Sequence, residues 1–188
     1  GNHETEEISL RDGFYEEFEC RNITDTWYSF TQTFCYLPLA AVVGHRIFCV
    51  HGGISSDLKS ISQIETMKRP MDIPNSGIAC DLVWSDPADE GNGWNENDRG
   101  ASFTYGPDVV EEFLKRHKFD LLCRAHQMAI DGFEFPFKGR QSCVTIFTAP
   151  NYCGENFNAG AMMRVAEDMT CTFEYLEPED LEEEEEEI

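Results

Sequence analysis

The spacing of apolar residues changes several times along the chain, and each change predicts an element. Residues 5–21 place Ile8, Leu10, Phe14, Tyr15 and Phe18 at roughly helical intervals among acidic side chains. Gly13 weakens the middle of that helix. A second helix is predicted over 25–36, with Trp27, Phe30, Phe34 and Leu37 as its core face. Residues 40–43 and 46–50 then read as short strands joined by a turn at Gly44-His45. Residues 57–80 read as helix and loop, broken at Pro70, Pro74, Asn75 and Gly77. Residues 81–100 predict a long polar segment, and Trp84 and Trp94 within it argue for order. Pro107 opens a helix to about His117, with Val109, Val110, Phe113 and Leu114 facing inward. His117 reads as a solvated histidine at that helix end. Strands are predicted over 119–124, 132–135 and 143–149. Two more, 161–165 and 170–176, form a hairpin across Glu167-Asp168. Buried strands with helices outside predict an α/β domain over residues 1–178.

Composition bounds the rest. A chain of 188 residues is long enough for one domain with a substantial core, and 41% apolar residues is ordinary for a globular protein. The net charge is −22. Nine acidic side chains lie in residues 177–188, and taking them away leaves −13. That charge argues against nucleic-acid binding. Residues 179–188 are expected to be a disordered acidic tail. No apolar run approaches 18 residues, so no membrane-spanning helix and no membrane partner are expected. The eight cysteines form no C-x-x-C pair, and several sit in apolar strands. This predicts reduced thiols in a reducing compartment, cytoplasmic and/or nuclear.

Two histidines stand where predicted strands end: His51 before Gly52-Gly53, and His126 after Arg124-Ala125. The glycines are expected to turn the backbone sharply and bring His51 to the mouth of the sheet. Together with Asn2, these imidazoles supply the nitrogen and oxygen donors that suit zinc, iron or manganese. Such ions make water nucleophilic at neutral pH and neutralise phosphate oxygens. His3 is a candidate acid for a leaving alkoxide. Arg99 is a candidate phosphate clamp, because its fork of donors matches phosphate oxygens. Spacing alone leaves this open. G-x-S-x-G and Gly-rich nucleotide loops are absent, and Cys153 has no base adjacent in sequence.

Six motifs narrow the choice: Gly1-Asn2-His3-Glu4, His51-Gly52-Gly53, Trp84-Ser85-Asp86-Pro87, Asn97-Asp98-Arg99-Gly100, Arg124-Ala125-His126-Gln127 and Ala149-Pro150-Asn151-Tyr152-Cys153-Gly154-Glu155. In order and spacing they resemble the phosphoprotein phosphatase family, across residues 1 to about 178. The stretch from Cys153 to Met163 resembles the type-1 catalytic subunits among them. The resemblance implies a metallophosphatase β-sandwich flanked by helices, and hydrolysis of phosphoserine and phosphothreonine in proteins by a metal-activated water. It implies that Asn2, His51 and His126 hold one ion of a pair (manganese, iron or zinc). It also implies that His3 protonates the leaving oxygen, that Arg99 and Tyr152 contact the phosphate, and that Asp86 lines an acidic substrate groove.

The family's Gly-Asp-x-His-Gly and Gly-Asp-x-x-Asp-Arg-Gly motifs do not occur. They would bring the second ion's ligands, the bridging carboxylate, a second arginine and the aspartate that orients His3. The chain is therefore expected to be a fragment holding at most one partial metal site, inactive alone, with activity in a longer parent. The alternative is an inactive module that docks regulatory subunits bearing a basic-Val-x-Phe motif. The resemblance places that docking groove at Ile47, Leu121, Phe135, Met169, Cys171 and Phe173. A third reading, an acidic scaffold with purely structural histidines, does not account for six motifs in order.

Overall fold

The computed structural model describes residues 1–178; the predicted acidic tail lies outside the described residues. The first predicted helix is two helices, α1 (Glu6–Arg11) and α2 (Phe14–Glu19). Gly13 between them has φ 92, a left-handed value that ends one helix and starts the next. In α3 (Thr24–Phe34), Trp27 is buried as predicted, but Phe30 and, beyond the helix, Leu37 are exposed. The Phe30 ring instead joins Phe14, Phe18 and Phe34 in an aromatic cluster between α2 and α3.

The chain continues through β1 (Ala40–Val43), β2 (Ile47–Val50), α4 (Ser62–Glu65), α5 (Ile78–Trp84), β3 (Asp86–Pro87), β4 (Trp94–Glu96) and β5 (Phe103–Tyr105). Then follow α6 (Pro107–His117), β6 (Leu121–Arg124), β7 (Phe133–Glu134), β8 (Cys143–Ile146), β9 (Gly160–Val165) and β10 (Cys171–Leu176). The predicted polar segment 81–100 is thus partly helix and partly a three-stranded sheet, β3-β5-β4. Its polar signal misleads at Asp81, which is buried in α5. There its carboxylate accepts hydrogen bonds from Ser55 Oγ (2.6 Å) and Ser102 Oγ (2.7 Å).

The central sheet has the order β1-β2-β6-β8-β7. β1 and β2 are an antiparallel hairpin, while β2, β6 and β8 run parallel. Alternation splits these strands between two layers. Phe48, Val50, Leu122 and Cys143 pack with Leu82 of α5 and Val110, Phe113 and Leu114 of α6. On the other face, the β9–β10 hairpin covers the sheet, and Phe173 of β10 stacks on Phe133 of β7 with ring centres 3.8 Å apart. This is the predicted sheet-on-sheet arrangement flanked by helices. His117 is half-buried rather than solvated. Its ring lies 4.7 Å from that of Phe113, and burial holds its pKa below the ordinary value. Among the described residues no helix is long and apolar enough to cross a membrane.

Candidate metal centre

Parallel strands in register carry their ends to one edge of the sheet. Ile47 of β2 faces Leu121 of β6, so His51 and His126 leave neighbouring strands close together, and the Ala125 N–H donates to the His51 carbonyl at 2.9 Å. His126 sits at φ 68, a left-handed value that redirects its side chain at the strand end. Asn2 reaches the same point from the 3-10 turn Asn2–Glu4. That turn is held to α1 by Thr5, whose hydroxyl donates to the Asn2 carbonyl and accepts from the Ile8 N–H.

Three donor atoms meet there. His51 Nε2 lies 2.7 Å from Asn2 Oδ1 and 3.1 Å from His126 Nδ1. Asn2 is 3% exposed. Burial lowers the pKa of both imidazoles to about 3; the Gly1 amino group adds to the effect at His51, and Arg99 at His126. Both rings are therefore neutral at neutral pH and present lone pairs. Trp84 meets the His126 ring edge-on at 5.6 Å, and His126 Nε2 is buried without a hydrogen-bond partner.

The buried pair of Arg124 and Asp86 holds the loops around these donors. Arg124 is 1% exposed, and its Nε donates to the Gly52 carbonyl at 2.6 Å. Its Nη1 donates to Gln127 Oε1 and its Nη2 to Asp86 Oδ1, both at 2.7 Å. One guanidinium thus ties together the loops after β2, α5 and β6. Sequence reasoning missed it. The available signal was a cation closing the apolar run Leu121-Leu122-Cys123, since a buried charge requires partners.

The glycines after His51 act differently from the expectation. Neither has a positive φ. Gly52 instead packs against the end of α5, where an added Cβ would stand 2.7 Å from the Val83 and Trp84 backbone; Gly53 packs against the Tyr105 ring.

The other predicted residues are placed as follows by their contacts. His3 is exposed beside Asn2, and its ring has no hydrogen-bond partner among the described residues. Arg99 is exposed at the surface, and its Nε donates to Asp86 Oδ2 at 2.6 Å, which leaves only part of its fork for other acceptors. Asp86 is 4% exposed and bridges Arg99 and Arg124. It borders an acidic surface groove with Asp89, Glu90, Glu96 and Asp98, but its carboxylate is spent on the two arginines. Tyr152 stands in the loop after β8, edge-on to Phe147, with its backbone tied to Asn158. Ile47, Leu121, Phe135, Met169, Cys171 and Phe173 all line one cavity of about 600 Å³, away from the imidazoles.

The donor set fits one divalent ion in part. His51 Nε2 lies close enough to Asn2 Oδ1 (2.7 Å) and to His126 Nδ1 (3.1 Å) for the three atoms to share one ion. Amide oxygen and neutral imidazole suit such ions. Among the described residues no group of three or more His, Cys, Asp or Glu side chains gathers to hold another.

The sequence profile of calcineurin-like phosphoesterases matches residues 1–129, a span containing all three donors and Arg99. Members of that family use divalent metal ions. One solved structure, a protein serine/threonine phosphatase from Saccharomyces cerevisiae with similarity to human phosphatase PP5, superposes with a TM-score of 0.86 at 28% identity. The match covers 96% of this chain and 59% of that one, so the chain spans about three-fifths of that protein's length. An amide and two neutral imidazoles meeting at one sheet edge, within the matched span and on the shared fold, place the chain in the calcineurin-like phosphoesterase family, among its phosphoprotein phosphatases.

Proposed function

We propose that this chain carries one half of the dinuclear site of a serine/threonine protein phosphatase. The convergence of Asn2 Oδ1, His51 Nε2 and His126 Nδ1 carries this reading. These three residues would hold one ion, of manganese, iron or zinc. When bound, it supplies an acidified water and a counter-charge to phosphate oxygens. The residues of the chain do the rest. Arg99, steadied by Asp86, offers the outer edge of its guanidinium to the phosphate. Exposed His3 delivers a proton to the departing serine or threonine oxygen. Tyr152 adds a phosphate contact from its loop. Trp84 and the surrounding burial exclude water from His126 and keep its ring neutral.

Three donors are short of a full coordination shell, and the second ion has no gathered ligands among the described residues. The reading therefore assigns turnover to a longer parent and little or none to these 188 residues. All eight cysteines are unpaired, which supports a reducing compartment, cytoplasm or nucleus. The test is calorimetric titration of the metal-free chain with Mn²⁺, with hydrolysis of a generic phosphate ester followed in parallel. At most one weakly held ion and no turnover are expected. Outer partners of metal ligands are worth about 10- to 100-fold in affinity, so His51→Ala or His126→Ala should cost more. Unchanged Mn²⁺ binding in both variants overturns the donor assignment.

A second reading is favoured by one observation, the cavity lined by all six expected groove residues. Here the chain docks a basic-Val-x-Phe peptide of a regulatory subunit, as type-1 phosphatases do, with or without catalysis. Apolar side chains from β2, β6 and β10 would take the valine and phenylalanine. Asp120, now ion-paired to Arg46 at the rim, and Asp168 would meet the basic residue.

A further inference from the structure

The face of β2 that carries Ile47 at the cavity also carries Cys49, one step nearer to His51. Cys49 pairs in register with Cys123 of β6. Directly opposed residues on parallel strands point to the same face, and neighbouring strands lie about 4.8 Å apart. A disulfide spans Cα separations of about 4.4 to 6.8 Å. Both cysteines are partly exposed, so a small oxidant reaches them. The other six are placed differently: Cys20 and Cys153 are exposed, Cys80 and Cys143 are buried, Cys35 lies near the end of α3, and Cys171 sits on β10 facing this sheet layer.

We infer that Cys49 and Cys123 are an oxidative modification site, a cross-strand dithiol that a hydroperoxide converts to an intrachain disulfide. One sulfur attacks the outer oxygen of ROOH, breaking the O–O bond and leaving a sulfenic acid and ROH. The second sulfur then displaces hydroxide, which leaves as water with the remaining thiol proton. Two thiols and one hydroperoxide thus give one disulfide, one alcohol and one water. The sulfurs lose two electrons and the peroxide gains them. The link would fasten β2 to β6 between the cavity, floored by Ile47 and Leu121, and the strand ends that bear His51 and His126. Both features would then respond to one oxidation event.

The test uses the full chain, treated with equimolar hydrogen peroxide, alkylated with iodoacetamide and mapped by mass spectrometry. The expected product is a linked peptide pair holding Cys49 and Cys123, released by dithiothreitol. In Cys123→Ser the same treatment should leave Cys49 as a sulfenic acid that dimedone traps. The wild-type map decides the matter even if that variant folds poorly. A Cys123–Cys171 link overturns the inference. So does oxidation confined to Cys20 and Cys153 with Cys49 and Cys123 both alkylated.

Discussion

Arg124 Nη2 donates to Asp86 Oδ1 at 2.7 Å, with the arginine side chain at 0% and the aspartate at 5% exposure. The pair fixes the strand end that presents His126 against the loop that leads to Arg99. Its desolvation is offset by the Gly52 carbonyl and Gln127 on one side and Arg99 on the other. Removing one partner strands the other in the core, at a cost of about 3–5 kcal/mol. Asp86→Ala and Arg124→Ala should each lower stability by that amount in urea unfolding. A loss below about 1 kcal/mol would show that the pair is not the hub described here.

Gly53 lies against the Tyr105 ring, which is 0% exposed. A methyl group there forces either the ring or the loop after His51 to move. Overpacking of this kind costs about 1–3 kcal/mol. Gly53→Ala should therefore lower the thermal midpoint and also weaken Mn²⁺ binding through the displaced His51. Wild-type values for both would leave the close approach without consequence.

Acid should weaken the metal-free fold in a defined window. His51 and His126 have folded-state pKa values depressed to about 3, against 6.5 when unfolded. Between those values the unfolded chain binds protons that the folded chain refuses. Stability is thus intact above about pH 6.5 and declines as pH falls toward 3. The Asp86 carboxylate, whose pKa its arginines lower, adds its own loss only below the ordinary carboxylate range. Urea midpoints should hold from pH 7.5 to about 6.5 and then fall toward pH 4.5. His51 and His126 resonances titrating near 6.5 in the folded chain would contradict the prediction.

The cavity beside β10 gives a separate test. Phe173 lines it and stacks on Phe133. Truncating an interface aromatic costs about 1–3 kcal/mol of binding, so Phe173→Ala should weaken capture of a basic-Val-x-Phe peptide by that amount. Met169→Ala, at the same cavity without the stacking role, separates lost contact from a disturbed sheet. Equal peptide affinity in wild type and both variants would remove the docking reading.

Local pattern carried much of the fold because it reports what each segment buries. The α6 helix has its predicted bounds, with Val110, Phe113 and Leu114 inside, and the two hairpins, β1–β2 and β9–β10, lie where alternation placed them. Pattern failed where a distant partner reverses a local preference. Asp81 looked like loop until Ser55 and Ser102 satisfied it, and Phe30 looked like core although its helix packs with that ring half outside.

The sequence by itself determined which donors the chain owns: an amide at position 2, imidazoles at 51 and 126, and an arginine at 99. It also determined the family, through six motifs in order. Only the tertiary structure decided that His51 meets Asn2 at 2.7 Å and His126 at 3.1 Å, because that depends on the parallel register of β2 and β6, whose histidines lie 75 positions apart. It likewise decided that Gly52 and Gly53 serve close packing and that Arg124 joins three loops. Residue type is written along the chain, whereas distance, burial and the shifted imidazole pKa values arise only where separate segments exclude water from one another.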